Sequence, residues 1–84
     1  MYECYFTFRS ITGAQRGQRA LTREKLRCSL QRTPKIISVN GCGYALKVRA
    51  GDELPAAEAL RIWNVDYKKI FRFLSDGAVE ELKI

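Results

Sequence analysis

The chain contains segments with the hydrophobic spacing of a β-strand and segments with that of an amphipathic α-helix. The order of these segments restricts the fold more than any other feature. Apolar and polar residues alternate in residues 2–9, 27–32 and 44–49, which is the period of a half-buried β-strand, and residues 67–74 are predicted to form a fourth strand. After the first strand and before the last, apolar residues recur every three or four positions, as in an amphipathic helix. The order β-α-β-β-α-β predicts an α+β, ferredoxin-like fold: a four-stranded antiparallel sheet with two helices on one face.

The ends of both helices are also predicted. The first helix is expected to open at a capping box formed by Thr12 and Gln15, and its buried face is narrow. The second is expected to be N-capped by Asp52 and closed by Asn64. The residues expected to form the buried faces of the two helices are Ala14, Gly17, Leu21, Ala56, Ala59, Leu60 and Trp63.

The chain has 84 residues, which is the size of one small domain. We expect its core to span residues 2–74. For residues 75–84 the pattern leaves three alternatives open: a short helix, an additional edge strand or a frayed end.

Positive charge is concentrated in the first half of the chain. Residues 1–49 contain ten Lys and Arg against two acidic residues, whereas residues 50–84 contain five against seven. Arg16, Arg19 and Arg23 recur at intervals of three and four and therefore form one stripe on the first helix. This stripe is a candidate site for an anionic partner, either RNA or an acidic protein surface. The alternative is a solvated basic face that only keeps the chain soluble.

Composition excludes several classes of chemistry. The chain contains no His, so Ser-His-Asp and Cys-His catalysis and His-ligated zinc are excluded. Its three cysteines form no CxxC pair, which argues against a metal site or a disulfide scaffold. No apolar run approaches the roughly 20 residues of a membrane span, and the chain does not start like a signal peptide. We expect a cytoplasmic protein without metal or cofactor, and a carrier or binding protein more than an independent enzyme.

The predicted topology separates the three cysteines. The end of the first strand, the start of the first helix and the start of the third strand share one edge of the sheet. The residues expected there are Arg9, Ser10, Thr12, Gly41, Cys42 and Gly43. A helix N-terminus and a nearby cation favour thiolate over thiol, so Cys42 is a candidate reactive cysteine. The alternative is a glycine-rich turn that happens to include a small residue.

The other two cysteines, Cys4 and Cys28, fall at the opposite edge of the sheet. Their place in the alternation points them toward the helices, where a small cysteine behaves as an inert apolar residue. The sequence therefore predicts one candidate reactive thiol and two core thiols.

Several short segments resemble the selenium/sulfur carrier protein-like family of small domains. They are residues 6–10, Thr33-Pro34, Ile37-Ser38, Cys42-Gly43 and Ala45-Leu46. By position, the Cys-Gly pair of that family corresponds to Cys42 and Gly43. The resemblance implies that Cys42 accepts sulfur or selenium as a persulfide or selenosulfide and passes it to a partner protein. It implies a sulfur or selenium donor or acceptor as the partner.

Two other functions fit the predicted fold. One is an RNA-binding module, in which Tyr5 on the open sheet face stacks a base and the arginine stripe contacts phosphates. Residues 40–47 match the corresponding aromatic motif at only a few positions. The other is a protein-interaction or homodimerisation module. It would use an open sheet face that displays Tyr5, Thr7, Ala45, Lys47, Arg49 and some of Lys68, Ile70 and Arg72.

Overall fold

The order of helices and strands agrees with the sequence pattern and adds one strand. The structure is a computed structural model that describes residues 2–37 and 43–83. The elements are β1 (Glu3–Phe8), α1 (Ile11–Arg23), β2 (Cys28–Arg32), a 3-10 helix (Lys35–Ile37), β3 (Tyr44–Val48), α2 (Glu53–Ile62), β4 (Lys69–Phe73) and β5 (Val79–Leu82). In the described residues the sheet order is β2-β3-β1-β4-β5, with every neighbouring pair antiparallel.

The prediction of four strands was wrong, because the tail forms β5 beside β4. The chain reverses at Asp76 and Gly77, where Gly77 has a φ of 90° that an L side chain rarely adopts. The turn is held by the Asp76 carboxylate, which accepts a hydrogen bond of 2.9 Å from the Ala78 N–H. The fold is thus ferredoxin-like in its first four strands, with an additional edge strand, one of the three alternatives for residues 75–84.

The core lies between the sheet and the two helices. Cys4, Phe6 and Phe8 on β1 are at most 1% exposed and pack with buried residues of both helices, which confirms the predicted face. Gly17 on α1 permits the close approach, since a Cβ there would lie 2.8 Å from Cζ of Phe8. Both helices therefore lie on one face of the sheet, as predicted.

The opposite face of the sheet is partly covered, which overturns the expectation that it is open. After β2 the chain turns at Pro34, and the 3-10 helix brings Ile37 onto Tyr5 and Ala45. Tyr5 is 5% exposed, and Thr7 and Ala45 are buried as well. Ile70 and Arg72 face the helices instead, because they pair with Phe6 and Cys4 across β1 and β4 and share their side of the sheet.

The observed helix ends differ from the prediction at the start of α1. Ser10, and not Thr12, is the N-cap: its backbone is extended and its hydroxyl accepts a hydrogen bond of 3.1 Å from the Gly13 N–H. The helix therefore begins earlier, directly after β1, and Thr12 lies exposed in its first turn.

The ends of α2 agree better with the prediction. Asp52 is the N-cap residue, although its side chain makes no capping hydrogen bond. Asn64 ends the helix with a φ of 55°, and the Val65 N–H donates back to the Leu60 carbonyl at 2.8 Å. The predicted closure by Asn64 is confirmed.

Candidate functional site

The predicted gathering of chain segments at one sheet edge, here called the upper edge, is confirmed for the described residues. Tyr44 at the start of β3 pairs with Phe8 at the end of β1 and with Arg32 at the end of β2. The Thr33 N–H donates to the Gly43 carbonyl at 3.1 Å, which extends the pairing of β2 and β3 by one step. Arg9 directly follows the last residue of β1, and Gly43 directly precedes the first residue of β3. Both residues therefore lie at this edge, next to neighbouring strands.

The start of α1 adds positive charge at the upper edge. A helix N-terminus carries a partial positive charge, and an acidic residue in the first turn normally offsets it. The first turn of α1 contains no acidic residue. Ser10 satisfies one of the terminal N–H groups, and the dipole is left uncompensated within the helix itself.

A cleft lies beside this helix start. It has a volume of about 560 Å³ and is lined by the β1–α1 turn, the first turns of α1 and residues 64–68. Arg9, Arg16 and Lys68 lie along it, together with Asp66. Within residues 2–37 and 43–83, none of these three cations has a carboxylate oxygen within 4.0 Å. Among the described residues that line the cleft, positive charges therefore outnumber the one negative charge of Asp66.

The two cysteines that the structure describes are poor nucleophiles. Cys4 is fully buried, and burial raises the pKa of its thiol to about 12. Cys28 is half-buried on β2, and burial raises its pKa as well. Both thiols therefore remain protonated near neutral pH, as expected for core thiols. Because only the thiolate is strongly nucleophilic, neither reacts readily.

The predicted carrier residue itself lies outside the described residues. Cys42 and Gly41 belong to the segment between Ile37 and Gly43 that the structure does not describe. Of the predicted triplet, only Gly43 is described, and it lies at the upper edge. Apart from its chain neighbours, no described residue has an atom within 4 Å of the point where a Cβ on Gly43 would lie.

The arginine stripe is exposed as predicted, but Trp63 is not in the core. Arg16, Arg19 and Arg23 all lie on the solvent side of α1. Trp63 follows the last residue of α2 and is 40% exposed, and the Arg23 guanidinium stacks over its ring at 4.6 Å. The prediction of a core tryptophan was wrong because Trp63 lies at the end of α2, beside the left-handed turn at Asn64.

Three remaining expectations concern ligands and membranes. Tyr5 is covered by Ile37, so the base-stacking position of the RNA interpretation is not accessible. Among the described side chains, no group of three or more His, Cys, Asp or Glu residues is arranged to hold a metal ion. In residues 2–37 and 43–83, neither helix has the length and apolar character that a membrane span requires.

The fold and the upper edge define a small α+β domain with a basic surface at the end of its first strand. The family described as "Putative Se/S carrier protein-like" matches residues 3–72, and the chain belongs to this family. The matched range includes the Cys42-Gly43 pair and ends within β4, at Arg72. Comparisons with curated proteins and with solved structures gave no match.

Proposed function

We propose that the chain carries sulfur or selenium on the Cys42 thiolate, as a persulfide or selenosulfide, and passes it between partner proteins. The observation that supports this most directly is the position of Gly43, the residue bonded to Cys42, on the upper edge. Arg9 and the start of α1 supply positive charge there, and positive charge lowers the pKa of a thiol. Family membership supplies the chemical class of the cargo.

The transfer needs a nucleophilic sulfur and no second catalytic group. The Cys42 thiolate attacks the terminal sulfur of a persulfide on the donor. A new S–S bond forms at Cys42 while the S–S bond of the donor breaks, and the donor sulfur leaves as a thiolate. The sulfur arrives already in the oxidation state in which it is carried, so no oxidant or reductant takes part. A selenium cargo follows the same scheme through an S–Se bond.

The residues near Cys42 have supporting roles in this proposal. Gly41 and Gly43 add no side chain beside the sulfur, so a donor sulfur can approach it. Ser10 fixes the start of α1 through its capping hydrogen bond, while Arg9 and Thr12 flank that start. We place the relay in the cytoplasm, because thiols are kept reduced there.

The test is loading by a cysteine desulfurase supplied with ³⁵S-labelled cysteine. Wild-type chain should acquire label that dithiothreitol releases, because a persulfide is reducible. Cys42→Ser should acquire at most about one hundredth of that label, since a serine hydroxyl does not form a persulfide. Cys28→Ser is the matched control and should be labelled like wild type. Equal labelling of wild type and Cys42→Ser would overturn the proposal.

A further inference from the structure

One surface of the chain combines arginines from α1 with the exposed tryptophan that follows α2. We call it the Arg–Trp patch and define it as Arg16, Arg19, Arg23 and Trp63. All four side chains are exposed to solvent. α1 carries these three arginines and no acidic residue along Ile11–Arg23, so the patch is strongly positive. Like charges three and four positions apart destabilise a helix, so an anionic ligand on this stripe would relieve repulsion within α1.

Trp63 is fixed in place although it is exposed. Arg23 covers one face of the indole ring at 4.6 Å, and the indole Nε1–H donates to the Glu24 carboxylate at 3.2 Å. A fixed tryptophan beside arginines is the combination of residue types that contributes most of the binding energy at protein interfaces. The patch thus presents an aromatic group that needs little ordering when a partner docks.

A shallow pocket opens between the two helices within the patch. Its volume is about 150 Å³, and Ala20 and Val65 form its floor beneath the four patch residues. Sites for small molecules usually measure about 300–1,000 Å³. The pocket is therefore of a size for one side chain and not for a nucleotide or a cofactor.

We propose that the Arg–Trp patch docks an acidic helix of the protein that gives or receives the chalcogen. Arg16, Arg19 and Arg23 are spaced i, i+3 and i+7, so they span about 10 Å along one line of α1. Carboxylates with the same spacing on a facing helix would each meet a guanidinium, which binds a carboxylate through paired hydrogen bonds. The inference rests on the proposed function for the identity of the partner. It rests on charge complementarity for the place where the partner binds.

RNA fits the same patch less well. Arg23 already occupies one face of Trp63, and a base that stacked there would have to displace it. Tyr5, the other candidate for stacking, is buried on a different face of the molecule.

The patch is continuous with the upper edge. Arg16 and Val65 line both the small pocket and the larger cleft beside Arg9 and Ser10. A helix that lies along the stripe on α1 therefore extends toward the start of α1, where the cleft opens. The same contact that binds the partner thus orients it toward the edge at which Gly43 lies.

Trp63 is the only tryptophan of the chain, so its fluorescence reports on the patch. The probe is a synthetic helical peptide with glutamates spaced i, i+3 and i+7. A second peptide of the same composition has its glutamates distributed around the helix. We expect the first peptide to change the Trp63 emission saturably, with an affinity that falls as salt is added, and to bind about fivefold more tightly than the second.

Two charge reversals locate the binding site. Arg19→Glu should weaken binding of the first peptide about tenfold, because it replaces an attraction by a repulsion at the centre of the stripe. Arg49→Glu makes the same change in net charge at an exposed position after β3 and should stay within about twofold of wild type. Equal weakening by the two reversals, equal binding of the two peptides, or an unchanged Trp63 emission would each overturn the inference.

Two further measurements separate this inference from its alternatives. If a single-stranded RNA of equal charge binds more tightly than the peptide and loses its affinity in Arg19→Glu, the patch is an RNA site and the inference is wrong. Loading of Cys42 by glutathione persulfide, a small donor, should be unchanged in Arg19→Glu, while loading by a desulfurase should fall. Failure of both loading reactions in wild type would instead contradict the proposed carrier function.

Discussion

The two ends of the sheet differ in whether their charged side chains are paired with one another. At the lower edge, where β1 begins and β4 ends, Glu53 is only 5% exposed, and both of its carboxylate oxygens accept hydrogen bonds. Its carboxylate accepts hydrogen bonds from the Tyr2 hydroxyl at 2.6 Å, the Gly51 N–H at 2.7 Å and the Arg72 guanidinium at 2.8 Å. Arg72 also stacks over the Tyr2 ring at 4.5 Å. Within the described residues, Tyr2, Glu53 and Arg72 thus bond to one another, and only the buried Nε of Arg72 lacks a partner among these groups.

The upper edge has cations without such partners in the described part of the chain. Arg9, Arg16 and Lys68 lie along an open cleft, and the start of α1 has no acidic residue. The charges of the lower edge hold the start of β1 to α2 and β4. Arg9, Arg16 and Lys68 at the upper edge form no ion pair within residues 2–37 and 43–83, which fits the thiolate and the acidic partner that we propose.

The reactivity of the three cysteines gives the largest expected contrast between the two edges. At pH 7 a thiol with a pKa of about 12 is ionised in about one molecule in 10⁵, whereas an unperturbed cysteine is ionised in a few per cent. Mass spectrometry after timed iodoacetamide treatment should therefore find Cys42 modified about a thousandfold faster than Cys4. Cys28, which is half-buried, should fall between them.

A urea-unfolded sample is the control for this experiment, because all three cysteines should react alike once burial is lost. If the three cysteines of the folded chain are also modified at similar rates, the distinction between a reactive Cys42 and inert core thiols is wrong.

Disrupting the lower edge should reduce stability without affecting the upper edge. Glu53→Gln keeps the shape of the side chain but removes the charge opposite Arg72 and places an NH2 group, which only donates, where a carboxylate oxygen accepts hydrogen bonds. The free energy of unfolding should therefore fall by about 1–3 kcal/mol. Urea denaturation followed by circular dichroism measures this change. Glu58→Gln, on the exposed face of α2, is the matched control and should unfold close to wild type.

The same variant has a characteristic pH dependence. Burial by itself raises the pKa of Glu53, but the hydrogen bonds from Tyr2 and Arg72 outweigh it and leave the pKa below its ordinary value of 4.5. A depressed pKa in the folded state contributes stability above the unfolded-state pKa, and this contribution disappears as the pH falls through the folded value. Wild type should therefore lose stability below about pH 4.5 more steeply than Glu53→Gln. Parallel pH profiles would contradict the role assigned to this carboxylate.

The smallest expected effect concerns the start of α1 at the upper edge. Ser10→Ala removes the capping hydrogen bond to the Gly13 N–H and should cost about 1 kcal/mol of stability. Thr12→Ala should change stability by less than about 0.5 kcal/mol, because Thr12 is an exposed residue of the first turn. Thermal denaturation of the two variants decides which hydroxyl caps the helix, and a larger loss for Thr12→Ala would contradict the structure.

Hydrophobic spacing was sufficient to predict the first four strands, both helices and the arrangement at the upper edge. The alternation of Cys4, Phe6 and Phe8 extends over most of a strand, so its buried face is unambiguous. β5 could not be chosen over the alternatives because its four residues form a strand only by pairing with β4. That pairing is a tertiary contact, which periodicity alone does not contain.

Two single residues explain the differences at the second face of the sheet and at the end of α2. Ile37 covers the second face of the sheet from a loop, where one apolar residue gives no periodic signal. Trp63 continues the helical spacing by one step, but the helix ends before it, so its side chain lies beside Arg23. Of the candidate site, the sequence predicted which segments meet at the upper edge and missed the tryptophan. The neighbouring Asn64, which favours a left-handed turn, was the available signal.

The hairpin of β4 and β5 has a consequence for how copies of the chain behave toward one another. β4 carries Ile70, Phe71 and Phe73, an apolar composition that on an unpaired strand favours association with other chains. β5 pairs with the backbone groups on that side of β4. The edge strand of the sheet is then β5, which carries Glu80 and Glu81. Removal of residues 75–84 would thus expose the edge of β4 as a template for aggregation.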